Sequence, residues 1–549
     1  MQAISTVLIM LVAVVASGVL VRVSALALPL PLVQIMLGAV LAGVTDLGVR
    51  LDPDMFFLLF LPPLLFLDGW RIPKEGLLRD RTTILQLAFG LVIFTVLGVG
   101  LFIHWMIPEM PLAVAFALAA ILSPTDPVAV SSISARVPIP KRMMHILEGE
   151  SLLNDASGLV CMRFAVAAAM TGAFSLAEAS LTFIWLVVGG VLAGLGVSWG
   201  ITTAKGWLSA RYGEETGSEI LISLIIPFSA YTLAEHLEAS GILAAVAAGM
   251  FMSFSERSGQ ALATTRMRRT AVWDALQFTL NGVMFVLLGE QLPQIIASAV
   301  GATQEAGHHD PIWLLVYVLA ITMALAALRF LWVWVSLRLT IFRAARKGEA
   351  AMTPGWRLIA AVSLSGVRGA ITLAGILTLP YVLADGSLFP ARALAIFLAA
   401  GVIILSLLAA SFCLPMLLRG ITLPPEPRHQ REEDLARRAA AEAAIRAVEA
   451  AQHHLSQRDD AAELYAPAAV RVMDLYRERL EALAIDGESE AGDDHLMRQE
   501  IERQFWLTGL RAERAEIFHL ARHGNLPEET LLKLVREIDL LETRMDGSF

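Results

Sequence analysis

Between Ile121 and Val160 the chain sets four carboxylates, Asp126, Glu148, Glu150 and Asp155, inside or beside apolar runs long enough to cross a bilayer. A carboxylate in hydrocarbon costs about 3 kcal/mol on insertion scales, so its first reading is functional. Pro124 and Pro127 bracket Thr125 and Asp126. Proline lacks an N–H and clashes with the carbonyl four residues back, which predicts a helix broken here. Broken backbone at membrane depth survives where it lines a cavity, and there it builds ion sites. A single carboxylate in a water-accessible cleft holds either a proton or a monovalent cation, and that competition alone couples the two fluxes. Asp155 is the residue expected to do this. Ser151 lies one helical turn before it on the same face, and Glu150 and Asn154 share the adjacent face.

The neighbouring positions carry more than one reading. Asp126 either binds the ion directly or compensates the positive end of the half-helix that follows. Thr125 offers a hydroxyl and a carbonyl to a hard cation, or simply caps the break. Arg368, in Ser363-Leu-Ser-Gly-Val-Arg-Gly369, is expensive in an apolar span and needs an acidic partner. Glu150 is the expected one, as a structural pair. Arg163 and Arg329 also fall inside spans, with Glu148 or a carboxylate of another span as the partner of Arg163. Asp68, after Leu61-Pro-Pro-Leu-Leu-Phe-Leu67, reads as a funnel residue or as a helix-end charge. His104, His145 and His236 read as interface residues, and Trp70, Trp273 and Trp356 as an aromatic belt.

Composition says what must position these groups. Of 549 residues 56% are hydrophobic and 17% charged, against roughly 25% charged in soluble domains. That predicts an all-α polytopic membrane protein. Thirteen apolar stretches fit the length of a span, near 3–21, 27–45, 54–70, 84–107, 111–132, 144–171, 179–203, 217–237, 240–255, 271–291, 312–337, 357–382 and 391–418. No basic residue precedes the first, so it reads as a retained helix and not a signal peptide. With the C-terminus placed inside, cytoplasmic loops hold 20 Lys and Arg and outside loops 2. The imbalance predicts an outside N-terminus and a cytoplasmic C-terminus in the cell's inner (plasma) membrane. If the seventh span is a linker, spans one to six repeat as spans eight to thirteen in inverted orientation. The fifth span of each half is then interrupted, one by SPTDP and one by SGVRG, which is where transporters of this construction place their site.

The transmembrane part is assigned to residues 1–420 and a helical cytoplasmic domain to 421–549. The tail holds 17 basic and 27 acidic residues, which argues against nucleic acid or anionic lipid as its partner. Helical periodicity appears near 428–456, 461–484, 495–523 and 527–545, with a loop at 486–494. Cys161 and Cys413 both lie in apolar spans, which excludes a disulfide framework.

The stretches Leu61-Pro-Pro-Leu-Leu-Phe, Ser123-Pro-Thr-Asp-Pro-Val-Ala129, Glu148-Gly-Glu-Ser-Leu-Leu-Asn-Asp-Ala156 and Gly366-Val-Arg-Gly369 resemble, in order and spacing, the monovalent cation–proton antiporter-1 family of NhaP- and NHE-type sodium–proton exchangers. The resemblance implies a thirteen-helix homodimer with two broken crossing helices, whose core moves against a fixed dimerisation domain. It implies Asp155 as the cation- and proton-binding carboxylate, Thr125, Asp126 and Ser151 as helpers, and Glu150 paired with Arg368. It also implies that Asn154 beside Asp155 marks the electroneutral branch, one cation for one proton. The family often has Glu directly after LPPLLF; here that place is Leu67, and Asp68 follows. Transported Na⁺, with Li⁺ or K⁺ as alternatives, and H⁺ are the implied partners, with no cofactor. A K⁺/H⁺ antiporter of the same construction is the nearest alternative. A cation channel fits less well with a lone proton-competable carboxylate beside inverted broken helices. An intramembrane hydrolase lacks a motif: His145 and Glu148 have no second histidine.

Overall fold

The structure is a computed structural model. It describes residues 2–23, 28–44, 53–72, 81–126, 130, 141–171, 176–213, 215–256, 263–298, 301, 312–346, 355–383, 386–419, 427–456, 462–485, 505–519, 534–535 and 537–542. Two compact units divide the chain, Met1–Ile421 and Thr422–Phe549.

The first unit is helical almost throughout. Its elements are α1 (Gln2–Val23), α2 (Leu30–Val44), α3 (Pro53–Arg71), α4 (Arg81–Leu85), a π-helical segment (Gln86–Leu91), α5 (Val92–Met106), α6 (Leu112–Leu122) and α7 (Lys141–Thr171). There follow α8 (Leu176–Tyr212), α9 (Thr216–His236), α10 (Gly241–Glu256), α11 (Ala263–Ala297), α12 (Ile312–Arg346), α13 (Trp356–Leu364), α14 (Ala370–Leu377) and α15 (Arg392–Leu418). Among the described residues eight helical stretches are long and apolar enough to cross a membrane. Each of the thirteen apolar stretches read from the sequence contains helix, but α2, α6 and α10 are short ones.

Two helix pairs show how the halves fit together. Gly38 of α2 lies so close to the Val286 carbonyl of α11 that a Cβ would overlap it, and Gly289 of α11 lies equally close to the Ile35 carbonyl of α2. Gly69 of α3 and Gly249 of α10 make the same reciprocal approach, to the Val246 and Phe66 carbonyls. Apolar helices gain little from leaving lipid, so small residues that let backbones meet supply the packing. Exchanging the two halves carries α2 into α10 and α3 into α11. One glycine-locked pair then becomes the other, as an inverted repeat requires.

The interrupted helices are the other consequence of the repeat. Helix α6 stops at Leu122, and Ser123–Asp126 is non-helical chain; α13 and α14 are separated by Ser365–Gly369. The two breaks meet, with the Asp126 N–H donating to the Val367 carbonyl at 2.7 Å. Pro127 and residues 131–140, the expected continuation of the fifth span, lie outside the described residues. Beside the crossing the π-helical segment turns the Ala88 carbonyl toward α7, where Ser157 Oγ donates to it at 2.8 Å. The aromatic-belt reading fails for Trp273. It is only 1% exposed, stacks on Phe66 and donates to Ser223 Oγ at 3.1 Å, pinning α11 to α3 and α9.

In the second unit α16 (Pro427–Ser456) packs along α17 (Ala462–Ile485), and residues 505–519 are helical. Ala441, Ala469, Met473, Leu507, Leu510 and Ile538 are buried, and Arg514 pairs with Asp539 and Glu542. The expected loop at 486–494 and the expected helix start at Pro527 lie outside the described residues.

Candidate functional site

A pocket of about 30 Å³ opens at the crossing, lined by Thr125, Asp126, Ser151, Asp155 and Asp68 among others. That is room for one or two water-sized occupants. Asp155 comes from the middle of α7, where it is buried yet makes no hydrogen bond or ion pair among the described residues. Its carboxylate faces the pocket. A buried charge with no protein partner must be settled by a proton or a cation, which is the chemistry a cation–proton exchange site needs. Asp68 reaches the pocket from α3, so three carboxylates share its lining with no Lys or Arg among them.

The backbone ends at the crossing are charge-compensated in opposite senses. The Asp126 carboxylate lies against Gly369, which caps the N-terminus of α14, and a Cβ on Gly369 would overlap it. Negative charge is favoured at that positive helix end. Arg368 does the converse. Its Nε donates to the Leu122 carbonyl at 2.8 Å, Nη1 donates to the Gly366 carbonyl, and its backbone N–H donates to Ser406 Oγ at 3.2 Å. Leu122 ends α6 and Gly366 lies just past the end of α13, so the guanidinium sits where helix C-termini leave carbonyls unpaired.

This overturns the expected pairing of Glu150 with Arg368. Glu150 is held instead by Arg329 of α12, through Nη1 to Oε1 and through Nη2 to Oε2 at 2.7 Å. Both side chains are almost fully buried. Arg329 Nε also donates to the Val362 carbonyl at 3.3 Å, so one guanidinium joins α7, α12 and α13. The physical reason is demand: the crossing leaves two helix-end carbonyls that Arg368 satisfies, while the planar fork of Arg329 meets a carboxylate edge on. Arg329 announced itself in the sequence only as an arginine inside an apolar span.

Asn154 is drawn into the same network and away from the pocket. Its Nδ2 donates to Thr125 Oγ1 at 3.1 Å, and Thr125 Oγ1 donates to Glu150 Oε1 at 3.4 Å. Thr125 therefore both lines the pocket and ties it to the ion pair. Of the expected binding residues the structure gathers Asp155, Asp126, Thr125 and Ser151 around one space and leaves Asn154 behind them. Arg163 pairs with Glu235 of α9 at 3.6 Å, and not with Glu148. His104 Nδ1 meets the Met110 carbonyl and His236 Nδ1 the Thr232 carbonyl, each at 2.8 Å. Sequence reasoning missed Gln277 and Asn281 of α11 and Thr372 of α14, all in the pocket lining. The available signal was two amides four residues apart, on one face of an apolar helix.

A second cavity, about 650 Å³, lies further along the same helices. On α7 the lining passes from Ser151 and Asp155 to Leu159 and Arg163; on α3, from Asp68 to Leu58; on α14, from Thr372 to Thr378. Asp155 thus lines the smaller cavity, and Leu159, one turn further along α7, lines the larger one.

Crossing broken helices around a buried carboxylate that faces a small pocket, in a multi-pass membrane protein with an inverted repeat, define a secondary transporter for a cation. The chain belongs to the sodium/hydrogen exchanger family, whose transmembrane region matches residues 8–420. It is 42% identical over 548 residues to the uncharacterized Na⁺/H⁺ exchanger YjcE of Escherichia coli strain K12, covering 99% of this chain and 98% of that one. It is 38% identical over 517 residues to the sodium, potassium, lithium and rubidium/H⁺ antiporter of Bacillus subtilis strain 168, covering 94% and 74%. In fold it is similar to the sodium proton antiporter MjNhaP1 from Methanocaldococcus jannaschii, with a TM-score of 0.54 and 16% identity over 76% of this chain and 99% of that one.

Proposed function

We propose that the protein exchanges a monovalent cation for a proton across the membrane by alternating access, with both ions competing for Asp155. The observation that carries this is the Asp155 carboxylate, buried without a partner among the described residues and facing a pocket of water-sized occupants. Asp126, Thr125 and Ser151 complete the cation's oxygen shell, and Asp68 draws cations toward it. Asn154, where a second acid would stand directly before Asp155, supports exchange of one cation per proton, hence electroneutral transport.

The two cavities support the movement. The smaller lies between the crossing with α7 and helices α3 and α11; the larger lies between α7 and helices α3, α8, α9 and α10. Rocking one group against the other would open one cavity and close its counterpart, with Leu159 as the barrier. The loop charges support an outside N-terminus and cytoplasmic C-terminus in the inner membrane, and the family supports a homodimer. The cation range is proposed to include Na⁺, Li⁺ and K⁺, since the Bacillus subtilis relative is named for several alkali ions.

Proteoliposome exchange with each alkali cation, with and without a clamped membrane potential, tests this. Saturable cation flux that needs an opposing proton gradient and ignores the clamp is expected. Flux without a counter-ion would indicate a channel instead.

A further inference from the structure

The pocket has two walls of different origin. The crossing and α7 contribute Thr125, Asp126, Ser151 and Asp155; α3 and α11 contribute Asp68, Gln277 and Asn281. The α11 wall turns apolar beyond Asn281, at Met284 and Phe285. Asn281, at the middle of α11, is therefore the last polar group on that wall going toward the helix's C-terminal end. The amide oxygen of Gln277 is already committed, because Arg71 Nη1 donates to it at 2.9 Å and Arg71 is itself held by Asp274. Asn281 makes no hydrogen bond among the described residues and is half-buried at the pocket. An amide turned into such a space is unfavourable unless something there uses it. Its carbonyl oxygen is a ligand that hard cations accept.

We propose that Asn281 supplies its side-chain carbonyl oxygen to the transported cation while the site faces the Asp68 side. In that facing the cation is held by both walls. Resting on the exchange at Asp155 proposed above, movement of the crossing helices then carries the cation away from α11 and removes this ligand. Cation affinity is accordingly higher at the face served by Asp68 than at the face served by the larger cavity, and Asn281 sets that difference.

The test uses the full chain in proteoliposomes of sorted orientation, with the apparent KM for Na⁺ measured at each face. Asn281→Ala is expected to raise KM about tenfold at the Asp68 face, the loss of roughly one polar ligand, and to move the other by less than about twofold. Asn281→Asp keeps an oxygen in place and is expected to return KM toward the wild-type value. Equal shifts at both faces, no shift, or identical behaviour of the Ala and Asp variants would overturn the assignment. Where Asn281→Ala does not fold, Asn281→Leu, nearer in volume, replaces it with the same expected outcome. Asp155→Asn run alongside separates the two possible failures. If it is inactive while the Asn281 variants match wild type, only the role of Asn281 falls. If it still exchanges, the site itself is wrong.

Discussion

Asp155 and Glu150 stand five residues apart on one helix, both buried, yet among the described residues Glu150 has a bidentate partner in Arg329 and Asp155 has none. That difference separates a structural carboxylate from a working one. Asp155→Asn keeps the size and removes the charge, so exchange should fall to background with folded protein retained; proton-driven cation flux in this variant would refute the assignment. For Glu150 the expectation is reversed. Arg329→Ala strands a buried carboxylate and should destabilise the protein by about 3–5 kcal/mol, read as lost folded material in a thermal or detergent challenge. Arg329→Ala with Glu150→Gln should recover part of that loss, because the stranded charge is gone. Arg368→Ala, by contrast, should gain nothing from Glu150→Gln; recovery there would restore the pairing that the structure argues against.

At the scale of elements, glycine decides how closely helices meet. Gly369 sits where the Asp126 carboxylate crosses the start of α14, and any side chain must push that carboxylate away. Gly369→Ala should therefore slow exchange at least about tenfold, a cost of 1–3 kcal/mol being typical of overpacking. Turnover in reconstituted vesicles checks it, and a wild-type rate would show that Asp126 need not hold its place. Gly289→Val attacks a contact far from chemistry, between α2 and α11. Its effect should appear first as lower melting temperature, and an unchanged value would mean that this backbone approach contributes little.

At the scale of the whole molecule, competition for one carboxylate predicts the pH dependence. As pH falls, protons occupy Asp155 and the apparent KM for Na⁺ should rise by up to about tenfold per pH unit, while the maximal rate at saturating cation holds. A KM that ignores pH would show that proton and cation occupy different groups. The second unit has its own buried residues, and none of its described residues lines the pocket at the crossing. Truncation after Arg419 should leave exchange intact and displace its pH profile; an identical profile would restrict the tail to assembly.

The apolar spans, the break at Pro124 and the intramembrane acids were legible in the sequence because each is a local property. Helix length, a missing N–H and a charge in an apolar run need no knowledge of what lies opposite. The inverted repeat was legible too, since the interruptions recur at matching places in the two halves. Partner choice was not. Arg329, Arg368 and Arg163 look alike as lone arginines in apolar runs, and the nearest acid in sequence does not identify the one in space. Only the folded crossing, with its open helix ends, consumed Arg368 on carbonyls and left Glu150 to Arg329. The α11 face of the pocket belongs to the same class of fact. Gln277 and Asn281 matter because α11 packs along the seam, and that distance is set by contacts between residues far apart in the chain.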